Sequence, residues 1–431
     1  MLGKSNGRRS KGSGITVLLL ALFLTQNCLA GNGISLIGFG PDSVAMGSAD
    51  LTTVDDTNAL NINPAALTKI ENSQVDIYFA SATDVNSNHK DMFGNDIDDI
   101  VTGGAFIDLG YAHKIDEQLA WGIGFFVQGG VGVALDDLNT AFGTQDDISV
   151  QTRIVRLTPG LAWKVNEKLS FGVTAIFTYA DTEQKFFPNT SFNNAGQNFF
   201  GQQVKDMTAQ DLSFLMGLSY DLNATTTIAF SFATEVDLAL DGGKAIFDMS
   251  AIGLNKVTYN KVNIESINLP QQLGIGISHL HDNGWLVAAE INWLNWRNAA
   301  RATSLTAKNP DNPNAPSVIN SSMLLEWEDQ YVFALGARYH LDNQHNFMMG
   351  INLANNPVPT ENMSPITSAI ATKHITMGYS FPWNLNSSLH FAAEYQLPAK
   401  KTYTNPNQLF GEDTFIEFSV LILYFMYSHN W

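Results

Sequence analysis

Few residues in this 431-residue chain are spaced to do covalent chemistry. Its nine histidines (His89, His113, His279, His281, His340, His345, His374, His390 and His429) form no His-Glu-x-x-His cluster, and no serine sits in a Gly-x-Ser-x-Gly elbow. His279 and His281 adjoin one predicted turn and His340 and His345 flank another, where turn or interface roles outweigh metal binding. We therefore expect no catalytic residues, no metal site and no cofactor. A hydrolase, lipase or protease, assembled from distant Ser, His and Asp is the enzyme alternative.

What the chain does offer is apolar contact and scarce cations. Phe186, Phe187, Phe192, Phe199 and Phe200 fall in one polar stretch, 182 to 210, and five phenylalanines there are hard to leave in water. They form either one wall of a ligand groove, with Leu135, Leu138 and Phe142 of the stretch 134 to 148 opposite, or a small cap over the fold. Only 23 basic residues stand against 41 acidic ones, giving a formal charge of −18, so each cation invites a question. Arg153, Arg156 and Arg338 are the candidates for holding a ligand carboxylate, with Lys256, Lys261, Arg297 and Arg301 behind them. Buried arginines more often pair with Asp or Glu. Arg153 and Arg156 are an odd number apart, so a regular strand points them to opposite faces.

These residues must be carried by β-strands. About fourteen strand-like stretches follow residue 72, at roughly 74 to 83, 100 to 115, 119 to 133, 149 to 165, 169 to 181, 211 to 222, 226 to 238, 262 to 279, 285 to 297, 323 to 340, 345 to 353, 371 to 381, 388 to 396 and 414 to 429. Val75, Ile77 and Phe79 share one face against Asp76 and Tyr78. Trp285, Val287, Ala289, Ile291 and Trp293 share another against Leu286, Ala288, Glu290 and Asn292. Such alternation suits a wall with hydrocarbon on one side and an interior on the other. The last stretch offers apolar residues on both faces, for which a bulge shifting the register is one explanation.

Short connections (116 to 118, 166 to 168, 223 to 225, 280 to 284, 341 to 344, 382 to 387) alternate strictly with long ones (84 to 99, 134 to 148, 182 to 210, 239 to 261, 298 to 322, 354 to 370, 397 to 413). That sorting predicts periplasmic turns at one end and extracellular loops at the other. The fold class is thus all-β, a 14-stranded antiparallel transmembrane β-barrel, with a set of soluble sandwiches as the alternative. An even strand number lets the last strand pair with the first, so no edge donors face lipid.

Residues 1–30 read as a secretory signal peptide: Lys4, Arg8, Arg9 and Lys11 precede the apolar run from Ile15 to Leu24, and Ala30 precedes Gly31. Thr25, Gln26 and Asn27 before Cys28 are not the small residues that precede a lipidated cysteine. Export would remove four basic residues and no acidic one, leaving a charge near −22 and no cysteine. That balance argues against nucleic acid and anionic membrane surfaces as partners. Residues 31–72, glycine-broken and polar, are too few for an independent core and too irregular for the wall. We expect them as an N-terminal hatch, or plug, inside the lumen, with 73–431 forming the barrel.

The glycine-rich run Gly38-Phe39-Gly40-Pro41-Asp42-Ser43-Val44-Ala45-Met46-Gly47, then Ala49, Asp55-Asp56 and the box Asn63-Pro64-Ala65 just before the first strand, resemble the FadL/TodX-type family of outer-membrane transporters for long-chain fatty acids and hydrocarbons. The resemblance covers nearly all of the mature chain. It implies a 14-stranded barrel with a hatch, in the Gram-negative outer membrane, taking a hydrophobic small molecule (fatty acid, alkane or aromatic hydrocarbon) from the outside. It further implies lateral release beside a kinked third strand. Here that strand holds Gly129-Gly130, which mark either the kink or close packing against the plug. Membrane lipid and lipopolysaccharide are the expected surroundings, and a monomer the expected state. A general or solute-selective porin and a structural or adhesive barrel are the alternatives.

Overall fold

The computed structural model describes residues 31–431 except 195, 196, 266, 342, 343, 367–369, 407 and 408; the signal peptide expected at 1–30 lies outside the described residues. Fourteen of its strands form the wall. They are β1 (Ser73–Asp84), β2 (Gly104–Lys114), β3 (Leu119–Asn139), β4 (Gln145–Lys164), β5 (Leu169–Asn194), β6 (Gln197–Asn223), β7 (Thr226–Ala233), β8 (Gln272–Leu280), β9 (Trp285–Leu294), β10 (Gln330–His340), β11 (Asn346–Ala354), β12 (Lys373–Asn384), β13 (Ser387–Tyr403) and β14 (Thr414–Asn430). Each pairs antiparallel with its sequence neighbour, and β1 pairs with β14 from Gln74↔Asn430 to Asp84↔Val420, closing the ring. The backbones of Ser73 and Trp431 exchange hydrogen bonds of 3.2 and 3.1 Å at the seam.

Alternation sets the two faces. Ile77 and Phe79 on β1, Leu212, Phe214 and Met216 on β6, Leu273, Ile275 and Ile277 on β8, and Phe333 and Leu335 on β10 all point outward and exposed. A belt of this kind is far larger than a soluble monomer leaves in water, and it matches the apolar band of an outer-membrane barrel. Aromatic residues crowd the short-turn rim, where Tyr111 meets Trp121 and Trp431, and Trp285 meets Tyr339. No described helix is long and apolar enough to cross a membrane.

Two expectations change. The stretch 182 to 210 is not a loop: β5 and β6 run through it as one long hairpin, and the other long connections carry short strands too (Asn88–Lys90, Asp96–Asp98, Leu240–Asp241, Lys244–Asp248, Lys256–Glu265, Ala302–Pro310, Val318–Leu324). Their sequences are polar because they stand above the bilayer, where neither face meets hydrocarbon. The final strand is not shifted by a bulge at its end. Its pairing with β1 is continuous, and Val420, Ile422, Tyr424 and Met426 are apolar because they face a packed interior. The register shift lies higher up, between Gln396 and Ala399 of β13.

All of residues 31–70 except Asp42, Thr53, Asp55, Thr68 and Lys69 are buried. This segment comprises a short helix α1 (Pro41–Ala45) and two 3-10 turns (Thr57–Leu60 and Pro64–Lys69) joined by irregular chain. Around the ring it meets inward-facing residues one strand after another. Thr57 N–H donates to Asp76 of β1 at 2.8 Å, Asn61 accepts from Arg156 of β4 at 3.2 Å, and the Asp50 and Leu51 amides both donate to Glu290 of β9 at 3.0 Å. Asn352 of β11 donates to Gly47 O at 3.1 Å, Thr376 of β12 to Ala45 O at 3.0 Å, and Asp42 bonds His390 of β13 at 2.8 Å. A chain segment reaches the inner faces of strands on all sides of a closed ring only from within it.

Glycine makes that fit possible. Gly110, Gly122, Gly160, Gly172, Gly217, Gly274, Gly336, Gly350 and Gly378 line the inner face on β2, β3, β4, β5, β6, β8, β10, β11 and β12. A Cβ on Gly172 would overlap Pro64, on Gly217 Asn63, on Gly336 Met46 and on Gly350 Gly47. The wall is thus smoothed to backbone where the segment passes.

Candidate functional site

The box Asn63-Pro64-Ala65 works as a local cap. Asn63 Oδ1 accepts the Ala65 amide at 3.2 Å while its Nδ2 donates to Leu51 O at 2.8 Å, so one side chain starts the turn and ties it to the preceding loop. Pro64, with φ fixed and no N–H to leave unpaired, sits at the first position of the turn. The acidic pair divides: Asp56 caps the turn Thr57–Leu60 by accepting Asn58 N–H at 2.8 Å, and Asp55 lies 3.8 Å from Arg338 of β10. Arg338 therefore faces the N-terminal segment.

Ser43 donates to Asp50, whose main chain in turn is held by Glu290. Burial pushes the Asp50 carboxyl up to about 7, against the lowering effect of the Ser43 hydrogen bond, and burial likewise raises Asp56. A carboxyl that binds its proton more tightly when docked favours docking less as pH rises, here between about 4 and about 7. Spontaneous channel openings in planar bilayers should accordingly be more frequent at pH 8 than at pH 5, and Asp50→Asn should flatten much of that difference.

Beside this segment the wall is interrupted. The β2–β3 ladder runs from Lys114↔Ala120 to Leu109↔Phe125 and stops, while Gly104 to Asp108 of β2 pair only with β1. On the far side of β3 the register with β4 shifts between Val127 and Gly129. Gly129 has φ +150°, a conformation that side chains disfavour, and a Cβ there would overlap Ile34 O. The freed β3 backbone is partly met from inside: Ser35 bridges Gly129, Leu36 N–H donates to Gln128 O at 3.4 Å, and Asp108 accepts Val127 N–H at 2.8 Å. Pairing resumes higher up, with Ala134 N–H on Ile100 O at 2.9 Å. Gly129 thus lies at the register shift, and Gly130 lies against Thr152 O of β4.

A cavity of about 100 Å³ opens behind this point, walled by Asn32, residues 35 to 39, Ser48, Asp50, Asn61, Gln128, Arg156, Glu290 and Asn292. Six buried polar atoms on its lining, on Asn32, Ser35, Ser48, Asn61, Gln128 and Arg156 (Nε), have no hydrogen-bond partner among the described residues. Buried polar atoms are rarely left so, and six around one cavity leave it polar enough to hold water or the polar group of a ligand. Arg156 faces inward and makes no ion pair among the described residues; its one bond is to Asn61. Arg153 points to the other face and pairs with Asp181.

The phenylalanines gather on the extracellular side. Phe142 stacks on Phe199 at 4.6 Å and approaches Phe192 at 5.1 Å, while Phe186 meets Phe187 at 5.0 Å. They divide by depth. Phe186, Phe199 and Phe200 line a cavity of about 860 Å³, with Phe247, Ile264, Leu305 and the edge strand Val318–Leu324 across from them. Phe187, Leu135 and Leu138 are buried beneath it, and Phe142 and Phe192 form an outer aromatic patch. The opposing wall, from 244–265 and 302–324, lay outside the sequence expectation because its cavity-facing residues are single apolar ones in polar hairpins. Among the described residues no cluster of His, Cys, Asp or Glu is arranged to hold a metal ion.

A closed 14-stranded ring with an apolar outer belt, short turns at one rim and an inner segment filling its lumen defines an outer-membrane β-barrel channel. The family model described as outer membrane protein transport protein (OMPP1/FadL/TodX) matches residues 30–419, and the chain belongs to that family. It is accordingly a channel of the Gram-negative outer membrane for hydrophobic compounds, and not an enzyme. Solved structures share the fold: the Pseudomonas putida toluene transporter TodX at 18% identity and TM-score 0.77, and the Ralstonia pickettii toluene transporter TbuX at 19% and 0.73. A Pseudomonas aeruginosa FadL homologue follows at 13% and 0.71. Each alignment covers 92% of this chain and 99% of the other. No curated protein matches.

Proposed function

We propose that the chain takes up long-chain amphiphiles of the fatty-acid type, captured in the 860 Å³ groove, passed to the inner cavity and released sideways between β2 and β3. The groove falls in the size range of ligand pockets, and each CH₂ that leaves water there contributes about 0.8 kcal/mol. The observation that carries the substrate class is Arg156, a buried guanidinium with no ion-pair partner among the described residues, on a cavity lined by unpaired polar atoms. A carboxylate head group would satisfy it. The interrupted ladder supports a lateral path, since it leaves a stretch of wall closed only by contacts from the N-terminal segment and by the Asp108 side chain. Residues 31–72 act in this reading as the hatch, which moves when ligand arrives.

Labelled uptake into a strain lacking its own transporter tests the reading. Arg156→Gln should lower fatty-acid uptake about tenfold, the worth of one or two charge-assisted hydrogen bonds, and leave a neutral alkane unaffected. Equal loss for both substrates, or for neither, would remove the carboxylate from the proposal.

A further inference from the structure

The extracellular sheet carries an arrangement that uptake does not use. Lys205 of β6 stands directly opposite Lys244, and Lys261 directly opposite Lys308, in the ladders that join β6 to strands Lys244–Asp248, Lys256–Glu265 and Ala302–Pro310. Ala245 pairs with Tyr259, which brings Lys244 alongside Asn260 and so next to Lys261. The four lysines thus form a row across four adjacent strands, about 14 Å long at the usual strand spacing.

Their chain neighbours Val204, Ala245, Val262 and Ala307 are buried, so the lysines point away from the groove that Phe247, Ile264 and Leu305 line. Lys244, Lys261 and Lys308 are exposed and Lys205 is half-buried. None forms an ion pair among the described residues, whereas Lys185, Lys400 and Lys90 do. Like charges directly opposite each other destabilise a sheet. Two such pairs side by side, in a chain of charge −18, are accounted for by an anion that lies along them.

We propose that this row binds the acidic inner core of lipopolysaccharide. It stands on the long-loop side and faces outward, at a height set by β6: the outermost exposed apolar residue of that strand is Leu212, and Lys205, at the end of the row, lies seven positions beyond it toward the strand's outer tip. At about 3.3 Å per residue along a tilted strand, that places the lysines well above the hydrocarbon and level with phosphorylated, carboxylate-bearing core sugars rather than with phospholipid headgroups.

The test measures binding of three probes to the purified full-length protein: lipopolysaccharide with its inner core, lipid A stripped of core sugars, and phosphatidylglycerol vesicles. The fourfold variant Lys205→Gln/Lys244→Gln/Lys261→Gln/Lys308→Gln should bind the first probe on the order of a hundredfold more weakly. A matched variant on the short-turn side, Lys114→Gln/Lys164→Gln/Lys168→Gln, should bind it as the parent does. Heat-modifiable gel mobility reports whether each variant has closed its barrel; if the fourfold variant has not, Lys244→Gln/Lys308→Gln replaces it, with about a tenfold loss expected. Undiminished binding by a folded variant, equal affinity of the parent for lipid A or for phosphatidylglycerol, or an equal loss in the short-turn variant would overturn the proposal.

Discussion

Deletion of residues 31–67 behind the signal peptide is expected to turn a nearly silent barrel into an ion-conducting one, with planar-bilayer conductance rising at least about tenfold. The segment fills the lumen against inward faces on almost every side, and the glycines that smooth those faces leave no side chains to close the space once it is gone. A ring of fourteen strands is wide enough to hold water when nothing occupies it. Heat-modifiable mobility must show that the truncated barrel still closes. Conductance unchanged in a closed barrel would mean that the wall itself, and not the inner segment, blocks the path.

The second large effect is expected at Gly129. Valine there prefers extended backbone, so Gly129→Val should straighten β3, push Ile34 aside and let pairing with Gly104 to Asp108 of β2 extend past Phe125. A completed ladder removes the lateral path. Uptake should fall about tenfold or more, while ligand binding at the groove some distance away, measured by tryptophan quenching or calorimetry, stays as it was. Loss of binding and uptake together would point to a misfolded variant, and unaffected uptake to an exit through the lumen instead.

The wall was legible in the sequence because its signal is local. Period-two alternation around Val75 to Phe79 and Trp285 to Trp293, broken by turns such as Asp116-Glu117-Gln118, marks strands without any knowledge of their partners. The extracellular strands escaped because, above the bilayer, a strand such as Lys256–Glu265 has no hydrocarbon face to enforce alternation. The same chemistry hid the far wall of the groove. Arg153 and Arg156 show how far parity reaches: it separates them to opposite faces, but only the fold shows that Asp181 awaits one and the edge of an inner cavity the other. The inner glycines were visible one at a time and uninterpreted, although nearly every strand places one at an inward position. Their recurrence would have located the buried segment.

The seam between Ser73 and Trp431 has a consequence for biogenesis. The two ends of the ring are almost the whole chain apart, so the closing contact has the greatest sequence separation the polypeptide can offer, and such contacts form slowly. Until they form, β1 and β14 each present an open edge able to recruit other chains. The segment that will occupy the interior is tethered directly to β1, and is gathered in most readily before the final hairpin zips shut. Maturation therefore has a direction: interior first, seam last.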